Sequence, residues 1–170
     1  MKKIFALMLA LCMLCSAALA NELTWDSVAE TAAQIAGGFK TYSDIAVQIW
    51  IPDVLQEVEL SAEDKDNGFI GYYMTADELA AVSVRYVDMN GMSLEEYEAM
   101  LKDEADVSGI ETGSVNGFEG LSYDIKDKDT SCIAFTTQKG YILEVACAPM
   151  SDEGFAAVAA IIISSIQSAE

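Results

Sequence analysis

Apolar and polar residues change places along this chain with two rhythms, a helical one and an alternating one. Trp25, Val28, Ala29, Ala32 and Ile35 share a helical face and predict a helix from Trp25 to about Ala36, capped by Thr24 and ended by Gly37-Gly38. Strands are expected over Phe39 to Tyr42 and Ile45 to Ile51, the second with Ile45, Val47, Ile49 and Ile51 on one face and stopped by Pro52. A short strand over Glu57 to Leu60 and a charged turn from Ser61 to Gly68 follow. Phe69 to Met74 and Leu79 to Val87 read as further strands, joined by the turn Asp88-Met89-Asn90-Gly91 to a helix opened by Ser93. Glu96 stands three residues after Ser93 and completes a capping box, with Leu94, Tyr97, Leu101 and Ala105 as the buried stripe.

The second half of the chain reads as hairpins. Ile110 to Val115 and Phe118 to Ile125 flank Asn116-Gly117, two residues that tolerate positive φ and so favour a two-residue turn. Ser131 to Thr137 and Tyr141 to Ala148 are expected to pair across Lys139-Gly140 after the turn Lys126 to Thr130. A last helix runs from a Ser151 cap through Ser168, apolar on most sides and therefore packed onto a sheet. Short connections between strands favour antiparallel pairing. The fold class is therefore α+β: a largely antiparallel β-sheet flanked by about three helices, in an α/β/α sandwich.

The first twenty residues fall outside that pattern. Lys2 and Lys3, the apolar run Ile4 to Leu14 and the small residues of Ala18-Leu19-Ala20 form a secretory signal peptide with cleavage expected after Ala20. Cys12 and Cys15 follow leucines, which does not suit a lipidation site. Residues 21–170 are then a single domain, without a membrane span after leader cleavage, and the protein is expected to be secreted or extracytoplasmic.

Charge narrows the function classes. Asp and Glu number 28 against 9 Lys and Arg, and the formal charge of −19 becomes −21 when Lys2 and Lys3 leave with the leader. Such a chain is unsuited to a nucleic-acid backbone or an anionic membrane surface. Histidine is absent, which removes Ser-His-Asp and Cys-His nucleophile systems and His-ligated zinc. Glu63, Asp64, Asp66 and Asn67 before Gly68 fail the calcium-loop spacing because Lys65 occupies a ligand position. Lys126 and Lys128 interleave the acids Asp124, Asp127 and Asp129. No catalytic, cofactor-binding or metal residue is assigned, and no cofactor is expected.

Three local readings remain. Pairing Gln138 with Tyr141 across a tight turn sets Cys132 opposite Cys147, at a separation a disulfide accepts, and the export signal places the chain where disulfides persist. A structural disulfide Cys132–Cys147 is therefore expected, with two buried thiols as the alternative. Arg85 is the sole arginine and a candidate ligand contact for a carboxylate or phosphate; the competing reading is an ion pair with one of the many acids. Trp50 is a second candidate ligand contact, the competing reading being a core ring.

The strand ending Trp50-Ile51-Pro52-Asp53, the Asn116-Gly117 hairpin before Tyr123, and the run Gly140 to Val145 followed by Pro149 and a helix ending Ser164-Ser165-Ile166 together resemble the PsbP/MOG1/DcrB-like superfamily of exported α/β sandwich proteins. That resemblance implies an antiparallel sheet between helices and a non-enzymatic accessory or binding role. The residues and the resemblance together favour a secreted, non-catalytic binding or accessory domain with a strongly acidic surface. Its partner would be a basic protein, peptide or cell-envelope component. The alternative is a small secreted hydrolase that uses paired carboxylates.

Overall fold

A computed structural model describes residues 23–137 and 140–169. The expected leader, with Cys12 and Cys15, lies outside the described residues, as do Gln138 and Lys139 of the expected tight turn. The larger of two sheets runs in the order β3 (Leu55–Glu57), β4 (Phe69–Thr75), β5 (Ala81–Asp88), β9 (Tyr141–Ala148), β8 (Thr130–Thr136), β7 (Phe118–Ile125) and β6 (Val107–Val115). In the smaller sheet β2 (Val47–Pro52) lies between β1 (Gly37–Tyr42) and β10 (Gln167–Ser168). Every strand pairing in both sheets is antiparallel. Among the described residues the α-helices are α1 (Ala29–Ala32), α2 (Ala62–Asp66), α3 (Leu94–Asp103) and α4 (Glu153–Ser164).

Strand alternation divides the core between the two faces of the larger sheet. On one face Val82, Val84, Ile133, Phe135, Leu143, Val145 and Cys147 pack with Val28, Ala32, the β2 residues Ile49 and Ile51, and Ile161 and Ile162 of α4. On the other, Leu121, Tyr123, Cys132, Ala134 and Ile142 meet Tyr97 and Leu101 of α3. The α+β class and the antiparallel pairing are as the sequence suggests. Among the described residues α3 and α4 are the long helices, and α1 and α2 are single turns.

The differences have local causes. The segment from Trp25 to Ala36 breaks at Val28, whose φ of −119° separates a 3-10 turn from α1, and the Thr24 side chain makes no cap bond. Gly37 and Gly38 begin β1 instead of ending a helix. A Cβ on Gly37 would stand 2.6 Å from Trp50 Cζ2 and 2.8 Å from the Ile51 carbonyl, so strand pairing there needs glycine. The charged run after Ser61 is not a turn but α2, closed by a Ser61–Asp64 capping box that uses aspartate where glutamate is more usual. The Ser93–Glu96 capping box of α3 is present as read. Ser151 does not cap the last helix; Asp152 does, accepting the Phe155 N–H at 2.8 Å. That helix stops at Ser164, because Ser165 turns its hydroxyl to the Ile162 carbonyl and accepts the Trp50 N–H at 2.8 Å. Gln167 and Ser168 then pair with β2.

One register corrects an expected bond. Thr137, not Gln138, pairs with Tyr141, so the β8–β9 connection is one residue longer than a two-residue turn. Cys132 therefore lies opposite Ala146, and Cys147 opposite Ser131. A one-residue shift sends every side chain to the other sheet face. Cys132 consequently belongs to the core beneath α3 and Cys147 to the core beneath α4, and no disulfide joins them.

Asn116 does more than turn a hairpin. Its φ is 46°, as the turn requires. Its side-chain amide donates to the carbonyls of Ser164 and Ile166, both at 2.8 Å, and its oxygen accepts the Trp25 N–H at 2.8 Å. Glycine keeps the positive φ and removes all three bonds. Asn116→Gly is expected to lower the unfolding free energy by about 2 kcal/mol, with each lost bond worth about 1 kcal/mol or less; a denaturation midpoint equal to that of the parent would contradict this. The register carries its own consequence. Both thiols should be alkylated only after unfolding, and without reductant; an intact mass that rises by two hydrogens on reduction would disprove it.

Candidate functional site

Two features stand out on the α3 side of the larger sheet. The first is a polar cluster centred on Glu144. The run Ile142, Leu143, Glu144, Val145 puts one carboxylate in the middle of a buried strand, facing α3. Tyr97 from α3 donates to Glu144 Oε2 at 3.1 Å, and Tyr123 from β7 makes a very short bond to the same oxygen. Each phenol has one proton, so these two bonds use both, although the two hydroxyl oxygens stand 3.4 Å apart. Arg85 lies directly opposite Glu144 across β5 and β9, with Nη1 at 4.0 Å from Oε1.

Arg85 thus faces an internal carboxylate. Its side chain is 41% exposed and the pair is long, so the contact contributes at most about 1 kcal/mol. The Arg85 Nε is buried without a hydrogen-bond partner. Trp50, the other candidate ligand contact, lies elsewhere in the fold. Its ring is in the core, 5% exposed, with the Trp25 ring 6.4 Å away. Cys132 sits among the residues around Glu144, and burial pushes its thiol well above the ordinary range, reinforced by the Glu144 charge. Such a thiol is a poor nucleophile at neutral pH.

The phenols are shifted in the same sense. Burial raises Tyr97 to about 12, with the Glu144 charge adding to it. Tyr123 is raised further by burial and then by Glu144, and Tyr42 by burial and then by its 3.0 Å bond with Tyr73. None of them exchanges a proton near neutrality. The cluster therefore ties α3 to β7 and β9. Several acids outside the cluster also have structural partners. Asp64 is held below the usual carboxylate range by bonds from Ser61, Asp77 by bonds from Thr75 and Leu79, and Asp129 by bonds from Ser151. Among the described residues, no group of three or more Cys, Asp and Glu side chains is placed to hold a metal ion.

The second feature is a groove of about 720 Å³ between the first turns of α3 and the β6–β7 hairpin. Leu94 and Leu121 line it, with Glu95 and Glu98 from α3, Thr112 from β6 and Glu119 from β7. The capping box sets the α3 start here, which brings Glu95 and Glu98 to the rim. Lys102 lies one turn on and pairs with Glu98 at 2.6 Å. The groove brings together acids that are far apart in sequence, and nothing in their spacing signals it. Glu144 left a clearer trace: a charge inside an apolar strand.

No family model matches the chain, and no curated protein matches it. Solved structures do. Cyanobacterial PsbP (CyanoP) from Synechocystis sp. PCC 6803 aligns over 79% of this chain and 93% of its own, with a TM-score of 0.56 and 10% identity. The chain has a PsbP-like fold. LpqN of Mycobacterium tuberculosis, described as involved in cell envelope biogenesis, aligns over 80% of this chain and 92% of its own, with a TM-score of 0.44 and 15% identity. At these identities the PsbP-like likeness speaks for the fold, while the groove and the Glu144 cluster are read from this chain's own residues.

The raised phenols make stability depend on alkaline pH. An unfolded tyrosine loses its proton near pH 10, whereas Tyr97 keeps its proton to about 12 in the fold. The folded state then binds more protons, so stability is intact below about pH 10 and falls as pH rises from there. Tyr97→Phe should make that fall shallower by up to about 1.4 kcal/mol per pH unit between pH 10 and 12. Unfolding measured from pH 8 to 12 checks this, and equal slopes for parent and variant would refute it.

Proposed function

We propose that this PsbP-like chain is an exported, non-catalytic binding domain whose acidic groove receives a basic protein, peptide or cell-envelope component. The observation that carries this is the groove itself, where Glu95, Glu98 and Glu119 gather above Leu94 and Leu121. Apolar lining with a few charged groups at the rim suits a side chain that has a long aliphatic stem and a cationic head. The net charge of −19 adds long-range attraction for a basic partner, which speeds encounter and weakens as salt screens it. The leader expected over residues 1–20 supports export.

A hydrolase reading has less support. It needs two converging carboxylates, one with a raised pKa. Asp64, Asp77 and Asp129 are lowered by hydrogen bonds, and Glu144 is engaged by Tyr97 and Tyr123.

Binding of a short, fluorescently labelled peptide alternating lysine and threonine tests the proposal. The peptide should bind the protein at low ionic strength and bind more weakly as salt is added. Combined Glu95→Gln, Glu98→Gln and Glu119→Gln should weaken it by about tenfold or more, since each exposed pair is worth a few tenths of a kcal/mol to about 1 kcal/mol. A charge-matched control, Glu30→Gln with Glu59→Gln and Glu63→Gln on exposed positions elsewhere, should change it far less. Equal losses in the two triple variants would reduce the effect to net charge and overturn the groove.

A further inference from the structure

The groove opens beside a strand edge that is only partly paired among the described residues. β6 ends the larger sheet, with β7 on one side. Val115 and Phe118 close the two-residue Asn116-Gly117 turn, which makes Val115–Phe118, Gly113–Gly120 and Glu111–Ser122 the pairs that exchange backbone bonds. Thr112 and Ser114 lie between those pairs, so their N–H and C=O groups point away from the sheet. The structure shows this edge accepting another stretch of backbone. Leu23 bridges to Val115, donating its N–H to the Ser114 carbonyl at 3.0 Å and accepting the Asn116 N–H at 2.8 Å. Leu23 closes one end of the edge, and the irregularity between Ser108 and Glu111, with Gly109 at a φ of 63°, bounds the other. Between them Thr112 N–H, Thr112 C=O and Ser114 N–H have no backbone partner among the described residues.

We propose that this edge takes an extended, lysine-bearing segment of a basic partner as an added strand, a deepening that rests on the groove reading above. Alternation decides the chemistry. Thr112 and Ser114 sit opposite Leu121 and Glu119, so their side chains share the groove face. Every second side chain of a strand laid beside them turns to that same face, where Glu95, Glu98 and Glu119 stand. Backbone bonds supply affinity without regard to sequence, and the acids select a cation at alternate positions. A second copy of this chain fits poorly as the occupant, because it brings another formal charge of −19.

The experiment uses the full protein and the same alternating lysine–threonine peptide in three forms: unmodified, N-methylated at the lysine nitrogens, and N-methylated at the threonine nitrogens. Only one of those two sets of N–H groups faces β6, and strand direction decides which. One methylated form should therefore bind about tenfold more weakly than the other, as loss of backbone bonds requires. Hydrogen exchange at Thr112 and Ser114 should slow when the unmodified peptide binds. Equal binding of both methylated forms, with unchanged exchange at Thr112 and Ser114, would overturn strand addition while leaving the groove reading intact if the Glu95, Glu98 and Glu119 variant still binds less. Absence of binding by all three forms would overturn both. Slow exchange of Thr112 and Ser114 in the peptide-free protein would show the edge already filled, and a salt-stabilised dimer with protected Thr112 would make a second copy the occupant; either result overturns the proposal.

Discussion

Asn116 holds together parts of the chain that no single sheet joins. The β6–β7 hairpin lies at the far edge of the larger sheet, the end of α4 leads into the smaller sheet, and Trp25 starts the described fold's first turn. One side-chain amide reaches all three, with bonds to Trp25, Ser164 and Ile166. Asparagine is suited to this because it accepts a positive φ and still offers two donors and an acceptor. Ser165, next to these partners, binds the Trp50 N–H and so extends the connection into β2. The seating of α4 over the core, the position of the smaller sheet and the Leu23 bridge on the β6 edge all depend on that junction.

The opposite face is organised by a single charge. Glu144 stands in a strand that is otherwise apolar, and a carboxylate there must be compensated. Tyr97 and Tyr123 do so by hydrogen bonds and Arg85 by charge. Because Tyr97 belongs to α3, that compensation also draws the helix down onto β7 and β9. The flank of α3 then faces the β6–β7 hairpin across the groove, and its first-turn acids, placed there by the capping box, become the rim. The same strand edge that lines the groove carries Thr112 N–H, Thr112 C=O and Ser114 N–H, which have no backbone partner among the described residues. Acid placement thus follows from where α3 starts, and the groove lies against β6 because β6 is the last strand of the sheet.

Most of the strands could be read from the chain. The Asn116-Gly117 hairpin, the alternation from Tyr141 to Ala148 and the capping box at Ser93 depend on contacts within a few residues, where local geometry dominates. Errors cluster where a distant partner overrides a local pattern. Gly37-Gly38 looked like a helix end but pairs with β2 under the Trp50 ring. The C-terminal periodicity ran past Ser164, yet pairing with β2 claims Gln167 and Ser168. The cysteines show the sharpest limit: their spacing suits a disulfide in one register, and the observed register differs by one residue. Of the candidate site, Arg85 was singled out as the sole arginine; Glu144 was not, although it is a charge within an apolar run. The convergence of Glu95, Glu98 and Glu119 was not visible.

The chain by itself therefore determined an antiparallel α+β fold, an excess of acids, and the absence of every histidine-based chemistry, because composition and short-range periodicity carry those directly. Tertiary structure decided which acids gather, which face each cysteine occupies, what Arg85 and Trp50 touch, and which strand lies at the edge of the larger sheet. Those outcomes rest on strand register and helix seating. A shift of one residue reverses a strand's faces without changing its local pattern, so no local reading can choose between them.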